Sequence, residues 1–204
     1  MIYRRISALL AGVATSIAIS SAVASPVTAA ALSVQDQVSK QLRDYPGGTQ
    51  ISSYEIAYSG GAVIMVFPDP VSGRVPTAAD TRPSVSVAGT DAQVVPDATR
   101  YEHGCPYGNT VKWYCVYQDS NWGGRMLEFK DCTSSGYTNS LGTYGFGDTT
   151  SSWVNTRTTN SGRVTATDVF HAFLWNEVTS GHFVESSYVG VTANDRAWYL
   201  NCTT

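Results

Sequence analysis

Residues 117–129, YQDSNWGGRMLEF, carry the spacing that most restricts how this chain can fold. Tyr117 and Trp122 are separated by four residues, and Gly124 follows Trp122 after one more. A serine pair, Ser151 and Ser152, comes later in LGTYGFGDTTSSWVN at 141–155. The segments flanking the glycines, Lys112–Tyr117 and Arg125–Phe129, are rich in strand-forming residues. Ser152–Arg157, Val169–Trp175, His182–Glu185 and Ala197–Asn201 read the same way, and no helical period appears from Gly104 onward. A stretch of this size can bury about 60% or more of its unfolded surface, enough for one core. The pattern predicts a mainly β sandwich over 104–204.

The N-terminus reads as an export signal. Arg4 and Arg5 precede an apolar, uncharged run from Ile6 to Ala24. Ala22-Val23-Ala24 offers a small–x–small cleavage site, with Thr28-Ala29-Ala30 as a later alternative. Residues 1–24 are therefore expected to be removed, which lowers the formal charge from −3 by the two arginines. No later segment is long and apolar enough to span a bilayer. The expectation is a secreted, extracellular, monomeric protein with no membrane partner after cleavage. Its acidic balance, without a basic stripe, argues against nucleic acid.

Between signal and sandwich lie two further regions. In 31–67, Val34, Val38 and Leu42 form the stripe of a short helix over Val34–Tyr45, which Pro46-Gly47-Gly48 ends. Gln50–Tyr58 and Ala62–Phe67 then predict a hairpin around Ser59-Gly60-Gly61. One helix and one hairpin have little core of their own, so this piece is expected to pack on the next domain or stay loosely ordered, and it is a candidate pro-region. Residues 68–103 have linker composition up to about Thr99, with Arg74 and Arg82 as candidate processing points.

Cys105, Cys115, Cys132 and Cys202 all lie in the second half of the chain. An even count in an exported protein reads as two disulfides, and three pairings are open. The favoured one joins Cys105 to Cys115 and Cys132 to Cys202, loops worth about 2.7 and about 4.4 kcal/mol in the chain-entropy model. No CxxC or paired-His spacing points to zinc at these cysteines. No nucleophile elbow, HExxH, phosphate loop or dinucleotide fingerprint is present. His103 lies near Cys105, but an oxidised cysteine is no nucleophile. His171 and His182 fall on expected strands, and Glu128, Asp131 and Asp148 form no legible acid pair. The chain is expected not to be an enzyme.

The Tyr117–Trp122–Gly124 spacing with its later serines resembles the βγ-crystallin motif. That resemblance implies a folded-over hairpin, a glycine in a conformation closed to other residues, an aromatic corner, and a serine that ties the hairpin down. More broadly, YPGGTQIS, then EIAYSGGAVIMVF, then a cysteine-bearing crystallin-like region is similar to the actinobacterial secreted metallopeptidase-inhibitor family. It implies two Greek-key motifs held by disulfides and inhibition of an extracellular protease, most plausibly a zinc metalloprotease. The second motif is degenerate: Leu174 and Thr179 replace the aromatic pair before Gly181, leaving Trp175 as the corner aromatic. Trp198 and Tyr199 stand where its serines belong.

Calcium is the one cofactor the resemblance raises, with Asp148, Ser151, Asn194 and Asp195 as weak candidate ligands. Each half-site lacks a different ligand, so the expectation is no cofactor or a weak calcium site. Asp148 and the serines serve equally well as local hairpin pins. Gly136–Gly145 and Thr156–Gly162 are the candidate inhibitory loops, and the sequence does not choose between them. The alternative function is an extracellular binding or structural module of crystallin type, calcium-linked or toxin-like.

Overall fold

Runs such as VIMV at 63–66 and WYCVY at 113–117 are apolar on both sides of a strand, so they need a sheet covered on both faces. The computed structural model supplies one. It describes residues 32–76, 100–107, 113–130, 138–156, 163–178 and 183–203, and residues 31–204 form one compact unit. The chain begins with helix α1 (Val34–Asp44) and strands β1 (Thr49–Gln50), β2 (Glu55–Tyr58) and β3 (Val63–Val66). β4 (Arg100–Glu102), β5 (Cys105–Tyr107), β6 (Trp113–Tyr117), β7 (Met126–Lys130), β8 (Thr138–Ser140) and β9 (Ser152–Asn155) follow. The last are β10 (Arg163–Thr167), β11 (Phe173–Val178), β12 (Val184–Ser186) and β13 (Tyr199–Thr203). The molecule is mainly β and its strand pairs are antiparallel.

The central sheet runs β1-β2-β3-β7-β6-β9-β12, a second runs β11-β10-β13-β8, and β4 pairs with β5. β8 skips its sequence neighbours and pairs with β13, while β12 pairs with β9. Each sheet thus takes its end strand from the other half of the 113–203 region. Side chains alternate as a period of two requires. Val63, Met65, Tyr114, Val116, Leu127 and Phe129 share one buried cluster with Val164, Ala166 and Leu200 of the second sheet and Val38 of α1. Ile64, Val66, Cys115, Tyr117, Met126 and Val154 join Cys105 and Val75 in the other. Full burial of side chains such as Ile56 and Met65 contributes about 1.5–3 kcal/mol apiece.

The hairpin of the N-terminal segment is part of this sheet, and the helix packs on its buried cluster through Val38. β3 pairs with β7 from Val63↔Phe129 to Val66↔Met126, so a proteolytic loss of 31–67 would bare the β7 edge. Ser33 caps α1 by accepting from the Asp36 N–H at 3.2 Å. The Tyr45 N–H closes the helix onto the Gln41 carbonyl. Gln41 then donates to the Tyr144 carbonyl at 2.8 Å and accepts from Arg125 at 3.1 Å. Arg125 also donates to the Gly145 carbonyl at 3.2 Å and to Gln118 at 2.9 Å. That half-buried guanidinium knots the helix to both neighbouring turns.

Several boundaries differ from the sequence reading for local reasons. The expected strand over Gln50–Tyr58 breaks at 51–54, where Ser52 accepts from the Tyr54 N–H. The start of the expected linker is pinned: Arg74 bridges to Gly123, and Val75 is buried. β4 and β5 stand where that linker was expected to end. Residues 169–172 form a turn rather than the start of a strand, because the Asp168 carboxylate captures two of their backbone N–H groups. His171 belongs to that turn, at φ +62°. β8 and β10 were not anticipated.

Candidate functional site

The turn between β6 and β7 is built on backbone conformations that few residues tolerate. Asn121, Trp122 and Gly124 have φ of 54°, 57° and 70°. A Cβ on Gly124 would lie 2.8 Å from an Asp119 carboxylate oxygen, so glycine is required there. Ser152, on β9, clamps the turn twice. Its hydroxyl donates to the Asp119 carbonyl at 2.7 Å and accepts from the Trp122 N–H at 3.1 Å. Tyr117 is fully buried, and its hydroxyl donates to the His103 carbonyl at 3.1 Å. Trp122 stacks flat on the His103 ring, with centroids 3.5 Å apart. Tyr117, Trp122, Gly124 and Ser152 therefore meet in one corner.

The corner carries the β4–β5 hairpin with it. Cys105 and Cys115 are bonded, with Cα atoms 5.9 Å apart. Thr156 donates to the Pro106 carbonyl at 2.6 Å. Glu102 and Glu185 reach the exposed edge of His103, at 3.3 and 3.2 Å from its Nε2. Glu185 arrives on β12, opposite Val154. Sequence reading treated His103 only beside Cys105; nothing local in the chain places Glu185 next to it. Cys202 is buried and disulfide-bonded, while its expected partner Cys132 lies outside the described residues. Asp131 and His182 lie outside them too, and Glu128 is buried in the sheet.

Ser151, Asn194 and Asp195 come together, and Asp148 lies in the turn that leads into β9. Ser151 donates to one Asp195 oxygen at 3.3 Å and Asn194 to the other at 2.6 Å. The Asp148 N–H bonds the Ala197 carbonyl, and the Asp195 N–H bonds the Thr150 carbonyl. Both aspartates have φ of 54°. The two stretches thus make reciprocal contacts, each aspartate bonding the residue two beyond the other. Through the Asp195 carboxylate, Ser151 ties the two stretches together. Trp198 packs its rings against Gly142 and Gly147 where the resemblance calls for a serine.

The second half differs from the first. Trp175 sits within β11 opposite Ala166 and donates through its indole to the Tyr114 hydroxyl at 3.2 Å. It is a bridge between sheets rather than a corner. Gly181 lies outside the described residues. Glu177, also on β11, is buried against Tyr114. Burial pushes its carboxyl from 4.5 up to about 8, with the Tyr114 contact pulling the other way.

The β10–β11 turn presents apolar surface on a fixed backbone. Asp168 accepts from the Phe170 and Ala172 N–H groups, each at 2.9 Å, and from Arg196 at 2.9 Å. These hydrogen bonds hold its carboxyl below the usual range. His171 stacks on Tyr199 with centroids 4.5 Å apart. Phe170 is nevertheless 86% exposed and Phe173 62%. In the described end of the first candidate inhibitory loop, Leu141 and Tyr144 are buried and Thr143 is exposed. Residues 157–162 of the second lie outside the described residues.

No protein-family model matches this sequence, and neither a curated protein nor a solved structure matches it. Function therefore rests on the geometry.

Proposed function

We propose that this chain is a secreted, βγ-crystallin-like inhibitor of an extracellular protease, most plausibly a zinc metalloprotease, that docks a rigid loop in the target's cleft. The observation that carries the reading is the Asp168–Ala172 turn. Its exposed Phe170 stands on a backbone already fixed by the Asp168 carboxylate, so docking would freeze little further chain entropy. The crystallin-like part draws support from the exchange of β8 and β12 between the sheets, from the Ser152 clamp, and from the reciprocal contacts of the two aspartate-bearing stretches. In this reading the two Greek-key motifs are β6–β9 and β10–β13. Export rests on the N-terminal signal pattern and fits the disulfide between Cys105 and Cys115.

Titrating the purified chain against a thermolysin-like metalloprotease and a subtilisin-like serine protease tests the function. Stoichiometric loss of the metalloprotease's activity alone is the expected outcome. Full activity of both enzymes at molar excess of the chain would move the assignment to a binding or structural module.

A further inference from the structure

Apart from protease inhibition, we propose that Glu102, His103 and Glu185 form a binding site for a single divalent transition metal of borderline softness, zinc by preference. Their ligand atoms all lie within 4.8 Å of one another. The His103 Nε2 is 3.3 Å from a Glu102 oxygen and 3.2 Å from a Glu185 oxygen. Ligands held about 2.0–2.1 Å from a tetrahedral zinc are spaced about 3.3 Å apart, so two edges of the coordination polyhedron are already in place. A lone imidazole nitrogen cannot satisfy both carboxylates, because it has at most one hydrogen to give. A cation among the three atoms engages all of them at once.

The surroundings hold these ligands as a metal site requires. Trp122 stacks flat on the imidazole and fixes its plane. Tyr117 donates to the His103 carbonyl and fixes its backbone, an outer layer of support of the kind that tunes metal sites. Glu185 is positioned by the β9–β12 ladder and Glu102 by the β4–β5 ladder. All three side chains are about one-third exposed, which leaves room for water to complete the shell. One imidazole with two carboxylates suits zinc better than calcium, which takes six to eight oxygens. Bound metal would staple the β4–β5 hairpin to the β12 strand at the edge of the central sheet.

The test is calorimetric titration of the full chain with ZnCl2, and separately with CaCl2, for wild type, Glu185→Gln and His103→Asn. Asparagine is chosen because it tolerates the φ of +49° at position 103. Glu185→Gln is isosteric on an exposed edge and keeps the test valid if His103→Asn fails to fold by circular dichroism. Expected are one equivalent of zinc, a shift of the His103 ring signals in NMR, and roughly tenfold or weaker binding in Glu185→Gln. No zinc uptake at concentrations up to about 1 mM, undiminished uptake by Glu185→Gln, or tighter binding of calcium at these residues would overturn the proposal.

Discussion

At the residue scale, Glu177 sits in a setting that conflicts with its ordinary chemistry. Burial pushes its carboxyl up to about 8 in the fold from 4.5 in the open chain. Between those values the folded protein holds a proton that the unfolded chain has released, so this residue's contribution is full at acid pH and is lost as pH rises through about 8. Glu177→Gln removes that dependence. Unfolding free energies from urea titration should match wild type near pH 5 and exceed it near pH 9, by on the order of a few kcal/mol; equal free energies at both pH values would contradict the burial argument. Gly124 and Ser152 make the second case. Gly124→Ala meets both a φ of +70° and a 2.8 Å contact, and should cost about 1–3 kcal/mol. Ser152→Ala loses both hydrogen bonds of the corner clamp and should cost about 1–3 kcal/mol. Thermal unfolding measures both. These residues were legible in the sequence because their spacing is local to one hairpin and its closing strand.

The elements show where local spacing stops being informative. The α1 stripe and the Ser59–Gly61 turn could be read because a helix period and a two-glycine turn are short-range patterns. That β3 lies against β7 could not be read, since either strand's apolar run fits several neighbours. β10, with the sequence RVTAT, carries too little apolar bulk to announce itself; it is a strand because β11 and β13 pair on both sides of it. Once β3 covers β7, the N-terminal segment becomes structural. Removing residues 1–67 should expose the β7 edge and one face of Leu127 and Phe129, an invitation to edge-to-edge association. Analytical ultracentrifugation of the remaining fragment should show aggregates or loss of cooperative unfolding. A stable monomer unfolding like the longer chain would contradict this placement. Arg125→Ala, which breaks the knot with Gln41 and Gly145, should lower stability by about 1–3 kcal/mol while leaving the strand content intact.

At the scale of the whole molecule, two sheets that exchange end strands bring distant residues into single sites. His103 and Glu185 meet only because β12 crosses to the sheet that the β4–β5 hairpin covers. No sequence window spans that distance, which is why the acid–imidazole cluster was missed while the Tyr117–Trp122 corner beneath it was not. The same architecture leaves the β10–β11 turn at a free end, braced by Asp168 and Arg196, with Phe170 directed to solvent. The central claim is that this braced turn is what a protease encounters. The most direct measurement is residual activity of a thermolysin-like metalloprotease titrated with wild type and with Phe170→Ala. The account predicts stoichiometric inhibition by wild type and inhibition weakened roughly a hundredfold or more by Phe170→Ala, the loss expected of a buried aromatic anchor, with thermal stability unchanged. Absence of inhibition by wild type, or equal inhibition by both proteins, would contradict it.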